Sequence, residues 1–354
     1  MIKSANPVIK ASAPCRVDLG GTLDIKIFHN LFKNKRVATF NIALNLRTEV
    51  TIEPYSEDKI KVSSKGFEPI EFFYDKVRYD GPLGIIFLTA KHFNIKGIHI
   101  KIDSTSPPKS GLGGSSSATV ALIYGFSKLK SYNLSVYDTV LLAYKLEEKA
   151  LKSLCGMQDH LAAGYGGVNL WEWNKNKIAS PFIRKEIITD KNSLKNRIIA
   201  AYCGVEHNSK IINSKLIKDF SEKKYVDIWR KIADITPEFA ESIEKGDIET
   251  AAALMNLETE LRRKLTEKLF NNTGEKLVTA AREAECGARF TGAGGGGCLW
   301  AIGKAENISR LRKKWESILT PVDNAYMLNT EIDYTGVTAR AEAGNRGSVM
   351  DRNI

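Results

Sequence analysis

Cysteine is sparse and unpatterned in this sequence. Five residues, Cys15, Cys155, Cys203, Cys286 and Cys298, are spread through a chain of 354. The number is odd and no CxxC pair occurs, which excludes a disulfide framework and argues against a zinc site. No apolar run reaches about 18 residues, so no transmembrane helix and no membrane partner are expected. The opening stretch, MIKSANPVIKASAPCR, lacks the apolar centre of a signal peptide, and the expected compartment is the cytoplasm. There is no arginine-rich tract and no interleaving of aromatic with basic residues, so nucleic acid is not an expected partner. No internal repeat is visible.

What remains has the composition of an ordinary globular protein, 43% hydrophobic and 26% charged. Lys and Arg number 52 against 41 Asp and Glu, a net charge of +11. That balance favours anionic ligands such as phosphates. The length suggests two domains or one large one. Residues 8–17 and 36–53 alternate as strands do, and LRTEVTIEPY and DKIKVSS read as successive strands of one sheet. GIHIKIDSTSPP is a strand running into a proline-marked loop. Helical spacing follows at once, with Ser115 or Ser116 as its expected N-cap. VYDTVLLAYKLEEKALKSL is a second amphipathic helix, and the Gly166-Gly167 pair turns the chain into a further strand. Helices dominate from Ile211 to Glu285, and CLWAIG and AYMLNTEID read as two late strands. A domain boundary is expected near 185–197, giving an N-terminal domain over 1–190 and a C-terminal one over 191–337. Residues 338–354, small and polar, read as a flexible tail.

Two glycine-rich segments carry the chemistry. SPPKSGLGGSSSATVAL (Ser106–Leu122) joins a strand to a helix. At such a turn, unpaired N–H groups and the positive end of the helix dipole converge on one point, which makes an anion site. The Walker pattern does not apply, because Lys109 precedes the glycines instead of following them. GAGGGG (Gly292–Gly297) satisfies GxGxxG, but it follows a helical stretch and precedes a strand. A dinucleotide fingerprint needs the reverse order.

With APCRVDLGGTLD (Ala13–Asp24), PPKSGLGGSSSA (Pro107–Ala118) and TGAGGGGCLWAI (Thr291–Ile302) in this order, the sequence resembles the GHMP kinases across nearly its whole length. CGMQDHLAAGYGGVNLWEW and AYCGVEHNS resemble the heptose-phosphate kinase branch of that family. The resemblance implies an α+β protein with a ribosomal-S5-like N-terminal α/β domain and a C-terminal domain of helices and antiparallel sheet. It implies ATP- and Mg²⁺-dependent phosphorylation of a sugar or sugar phosphate at the anomeric hydroxyl, by a monomer or homodimer. ATP is expected between the phosphate loop and the strands near 40–53, with Pro107, Lys109, Ser110, Gly111, Leu112, Gly113, Gly114, Ser115, Ser116 and Ser117 around its phosphates. The family's metal-binding serine aligns with Ser115, and Ser116 is the alternative. Its metal carboxylate aligns with Glu147, and Glu148 is the alternative. Asp159 is the implied base and Arg16 its cationic partner. Gly20, Gly21, Thr22, Asp24, Gln158, Gly166, Gly167, His207, Gly294 and Gly295 are the implied substrate contacts. Leu23 stands between Thr22 and Asp24, where sugar-acting relatives place threonine beside the acid. A mevalonate-type kinase and a non-catalytic nucleotide- or RNA-binding protein are the competing readings.

Overall fold

Apolar residues at every second position set the strands that carry the site. The computed structural model describes residues 7–32, 36–151, 155–174, 181–187, 190–206, 209–266 and 269–342. In chain order the elements are β1 (Val8–Leu19), α1 (Lys26–Leu31), β2 (Ala38–Pro54), β3 (Lys59–Ser64), β4 (Phe67–Phe73), α2 (Gly84–His92), β5 (Ile98–Ser104), α3 (Gly114–Leu129), α4 (Val136–Leu151), α5 (Gln158–Tyr165), β6 (Val168–Trp173), β7 (Phe182–Glu186) and β8 (Ile198–Cys203). Then come α6 (Ser209–Ser221), α7 (Val226–Glu244), α8 (Ile248–Leu265), α9 (Asn272–Glu283), β9 (Gly287–Phe290), β10 (Cys298–Ile302), α10 (Ala305–Leu319), β11 (Ala325–Leu328) and β12 (Thr338–Glu342). In β5, Ile98, Ile100 and Ile102 are buried while Lys101 and Asp103 face water, the pattern of a strand covered on one face.

Two sheets result. The larger runs β12-β1-β2-β5-β3-β4, with β6 beside β2 and β7 beside β6. The smaller runs β11-β8-β10-β9 and is antiparallel throughout. β2 and β3 belong to one sheet, as expected, but they are not neighbours. β5 lies between them and runs parallel to β3. Residues 338–342, expected in a loose tail, form β12 and pair with β1 in antiparallel register from Val8↔Glu342 to Ser12↔Thr338.

One core fills the space between the large sheet and α2, α3 and α4, with Val50, Ile100, Phe87 and Phe126 fully buried. Another lies between the small sheet and α9 and α10, around Leu277, Leu311 and Trp315. The third, with Phe28, Phe40, Trp171, Trp229, Phe239 and Trp300, joins the two sheets and places the three motifs side by side. α3 is apolar nearly all round, as befits a helix packed on several sides.

Candidate active site

The three motifs meet through their backbones. Arg16 N–H donates to Leu112 O at 2.9 Å, which ties β1 to the phosphate loop. Cys298 N–H and the Thr291 hydroxyl both donate to Ser110 O, at 2.9 and 3.1 Å, and tie the third motif to the same loop. The loop ends at α3, whose N-cap is Gly113 at φ +81°, not a serine. No side chain caps the helix, so its first N–H groups face the cleft. Gly113 also lies against Asp159: a Cβ there would come within 3.2 Å of the carboxylate carbon. Glycine is required here both by conformation and by close approach.

The cleft over this point measures about 610 Å³. Of the expected phosphate contacts, Pro107, Lys109, Ser110, Gly111, Leu112, Gly113, Gly114, Ser115 and Ser116 line it. Ser117 does not, because its hydroxyl turns inward and donates to Pro14 O at 2.8 Å. The apolar end of the cleft is built by Phe67, Leu83, Ile86 and Ile102, while residues 40–53 contribute only Thr48.

Arg16 and Asp159 form a tight pair. Nε and Nη2 of Arg16 lie 2.7 and 2.6 Å from Oδ1 of Asp159, and Nη1 donates to Gly111 O at 2.5 Å. The Arg16 side chain is 4% exposed and that of Asp159 27%, so the carboxylate is open to a ligand and the guanidinium behind it is not. Burial opposes the charge of Arg16, but Asp159 and Asp18 beside it hold its pKa above the ordinary value.

Asp18 was not singled out by the sequence, yet it is the hub beneath this pair. Its Oδ1 accepts from Gly292 N–H at 2.8 Å and lies 3.4 Å from Arg16; its Oδ2 accepts from Arg289 at 3.0 Å. Arg289 and Arg262 share Glu258, at 2.9 and 2.8 Å, and Arg262 reaches back to Gly21 O and to the Thr22 hydroxyl. Asp18, Glu258, Arg262 and Arg289 are all buried. Burial works against both carboxylates, but the arginines offset it and depress the pKa values of Asp18 and Glu258. Thr22, at φ +74°, holds a left-handed conformation that is costly for a β-branched residue.

Ser116 Oγ donates to Glu147 Oε2 at 3.0 Å, and His160 Nε2 lies 2.7 Å from the same oxygen. The structure thus brings Ser116 to Glu147, while Ser115 lines the cleft without that contact. Glu148 faces away, toward Tyr144 and Lys26. His160, next to Asp159 on α5 but turned away from the cleft, is buried against Glu147. Burial disfavours its charged form, but the adjacent carboxylate more than offsets this and raises its pKa.

Asp24, Thr22 and Gln158 line the far end of the cleft. Asp24 Oδ2 accepts from Gln158 N–H at 3.0 Å. Burial, with the charge of Asp159 nearby, pushes its pKa up from 3.8 to about 6. A raised pKa favours the neutral acid in the fold. Its contribution to stability is therefore fully present below about pH 3.8 and lost as pH rises through about 6. Asp24→Asn removes that loss, so its stability relative to the native chain should improve by roughly 3 kcal/mol between about pH 3.5 and about pH 7.5. Chemical unfolding at the two pH values checks this, and a pH-independent difference would contradict it.

Several expected substrate contacts do not line the cleft. A Cβ on Gly20 would strike Thr236 and one on Gly21 would strike Asp18, so both glycines serve packing. Gly166 is pressed against the backbone at Gly336, and Gly167 N–H donates to Asp333 O at 2.7 Å. Gly294 packs on Leu269 and Phe290 and Gly295 on Ile212, whereas Gly292 and Ala293 border the cleft. His207 lies outside the described residues. No helix among the described residues is long and apolar enough to cross a membrane.

Residues 82–167 match the GHMP kinases N terminal domain and residues 239–319 the GHMP kinases C terminal domain. The chain is 25% identical to a D-glycero-alpha-D-manno-heptose 7-phosphate kinase of Campylobacter jejuni, over 82% of this chain and 88% of that protein. It is 27% identical to a mevalonate kinase of Pyrococcus furiosus, over 82% and 88%. Its fold is similar to that of Lactococcus lactis galactokinase, solved with galactose, with a TM-score of 0.72 at 18% identity over 95% of this chain and 96% of that one.

Proposed function

Because this chain belongs to the GHMP kinases, we propose that it transfers the γ-phosphate of ATP to the anomeric hydroxyl of a sugar-type acceptor. The observation that carries this reading is the Arg16–Asp159 pair packed against Gly113, the N-cap of α3, where a Cβ would come within 3.2 Å of the Asp159 carboxylate carbon. Phosphoryl transfer asks for alignment and charge stabilisation more than covalent chemistry. The α3 N-terminus offers N–H groups to the ATP phosphates. The apolar end of the cleft takes the base. Asp159, open to the cleft, accepts a hydrogen bond from the acceptor hydroxyl and takes its proton as the oxygen attacks. Arg16 holds Asp159 in place with a planar, permanently charged group. The anomeric hydroxyl is the most acidic of a sugar and yields its proton most readily.

Ser116 and Glu147 are the residues fitted to hold Mg²⁺. They present two oxygens 3.0 Å apart at the phosphate loop, the donor type that this hard ion takes. Bound there, the ion would offset charge on the ATP phosphates. Glu147→Gln and Ser116→Ala should each raise the Mg²⁺ concentration for half-maximal rate by about tenfold or more. Ser117→Ala, whose hydroxyl faces Pro14, should not. Equal responses at Ser116 and Ser117 would place the ion elsewhere. The function itself is tested by acceptor-dependent ADP release, with phosphorus NMR of the product.

A further inference from the structure

The acceptor end of the cleft holds more acid than base. Asp24 and Asp159 both line it, and Glu147 stands at its edge. Their charges, with that of Glu148, bear together on the Cys155 thiol in the same wall; burial is the largest cause of its raised pKa and these carboxylates add to it. The cations lining the cleft, among the described residues, are Arg16, Lys65 and Lys109. Arg16 is engaged by Asp159 and Asp18. Lys109 reaches Glu206 at 2.7 Å on the phosphate-loop side. Lys65 follows β3, and its N–H donates to Ile102 O at the nucleotide end. Lys26 lies outside the cleft and 3.5 Å from Glu148. Asp24 has no ion pair with any described residue, and it accepts a hydrogen bond from the backbone N–H of Gln158.

Two neutral amides share the cleft with Asp24. The side-chain carbonyl of Gln158 is buried, lines the cleft and has no partner. Asn213 Oδ1, from α6 across the cleft, is likewise unpartnered. A buried amide left unpaired costs about 1–3 kcal/mol, so an occupant that satisfies it is favoured. Amides and hydroxyls pair in either direction, and a hydroxyl also supplies the donor that a carboxylate such as Asp24 needs.

Resting on the kinase reading above, we infer that the acceptor is an uncharged polyol, held by Asp24, Gln158 and Asn213, and that phosphorylated sugars and carboxylic acids are rejected by the same acids that bind it. Two like charges ~6 Å apart in a half-dry cleft repel enough to weaken binding roughly 100-fold. A phosphate dianion or a mevalonate carboxylate placed beside Asp24 meets that repulsion, and no ion pair to Asp24 among the described residues offsets it.

The test compares matched acceptors with the native protein and Mg·ATP. Mannose, galactose and glucose are each paired with the corresponding 6-phosphate, and mevalonate is added. The expected result is saturable ADP release with at least one free sugar, at a kcat/KM roughly 100-fold above that of its 6-phosphate. In Asp24→Asn the free sugar should lose kcat/KM and the ratio between the paired acceptors should shrink. Turnover of a 6-phosphate or of mevalonate at equal or greater kcat/KM overturns the uncharged-acceptor inference and leaves the kinase standing. A ratio unchanged in Asp24→Asn removes Asp24 as its source and overturns the inference as stated. Absence of acceptor-stimulated ADP release across the whole set counts against the kinase reading as well. Should Asp24→Asn fail to fold, the paired native rates still decide the matter.

Discussion

Asp159→Asn should bind ATP almost as the native protein does and lose roughly 10²–10⁴-fold in kcat. The amide keeps the size of the side chain and can still receive Arg16, whose Nε and Nη2 lie 2.7 and 2.6 Å from Oδ1. It cannot take the acceptor's proton. Because Asp159 reaches the cleft beside Gly113 and not through the apolar end, nucleotide affinity should change little. Single-turnover rates and ATP titration separate the two effects. A variant with near-native kcat would remove Asp159 from the chemistry; one with normal kcat and weakened ATP binding would make it a nucleotide contact.

The second large effect is expected in the buried charge network. Glu258→Gln leaves two guanidinium groups, Arg262 and Arg289, around a neutral amide in a site with no access to water. Removing one partner of a buried ion network is costly, and a loss of about 3–5 kcal/mol in unfolding free energy is the expected outcome. The damage should reach activity too, since Arg289 holds Asp18, which faces Arg16 and receives Gly292 N–H. Denaturant unfolding measures the first effect. A change below about 1 kcal/mol would mean that the network is not a stability element.

That network also marks where reading the sequence stops short. LETELRRKL in α8 looks like a solvated helical face, because its acids stand four residues ahead of bases, as on exposed helices. Glu258 and Arg262 are nevertheless 0% and 2% exposed, since Glu258 finds a second counter-charge in Arg289 and Arg262 reaches Gly21 and Thr22 on distant segments. Helical spacing cannot show a partner 31 residues away, as Arg289 is from Glu258. The phosphate loop was legible for the opposite reason. Its strand, glycines and helix are contiguous, and a left-handed turn at a helix start leaves few other uses for that composition. The glycines divided. Gly113 is a close approach to Asp159, whereas Gly20, Gly166 and Gly295 make close approaches to packed protein. The residue type reports that something comes near, not what it is.

Other features have local causes. Ser116 and not Ser115 meets Glu147, a distinction finer than a motif with Gly114 in place of serine can carry. His160 lies next to Asp159, about 100° around the helix, yet both serve the site. Asp159 faces the cleft and His160 faces Glu147 on the neighbouring helix. β12 was hidden because TARAE has the composition of a tail; an edge strand exposed on most of its side chains needs no apolar alternation.

The most direct test is phosphorus NMR of a reaction containing the protein, Mg·ATP and a free sugar that stimulates ADP release. The expected product is a phosphomonoester whose resonance couples to the anomeric proton, formed in equal amount with ADP and absent with Asp159→Asn. Inorganic phosphate and ADP alone, or a phosphorylated product from mevalonate and from no sugar, would contradict it.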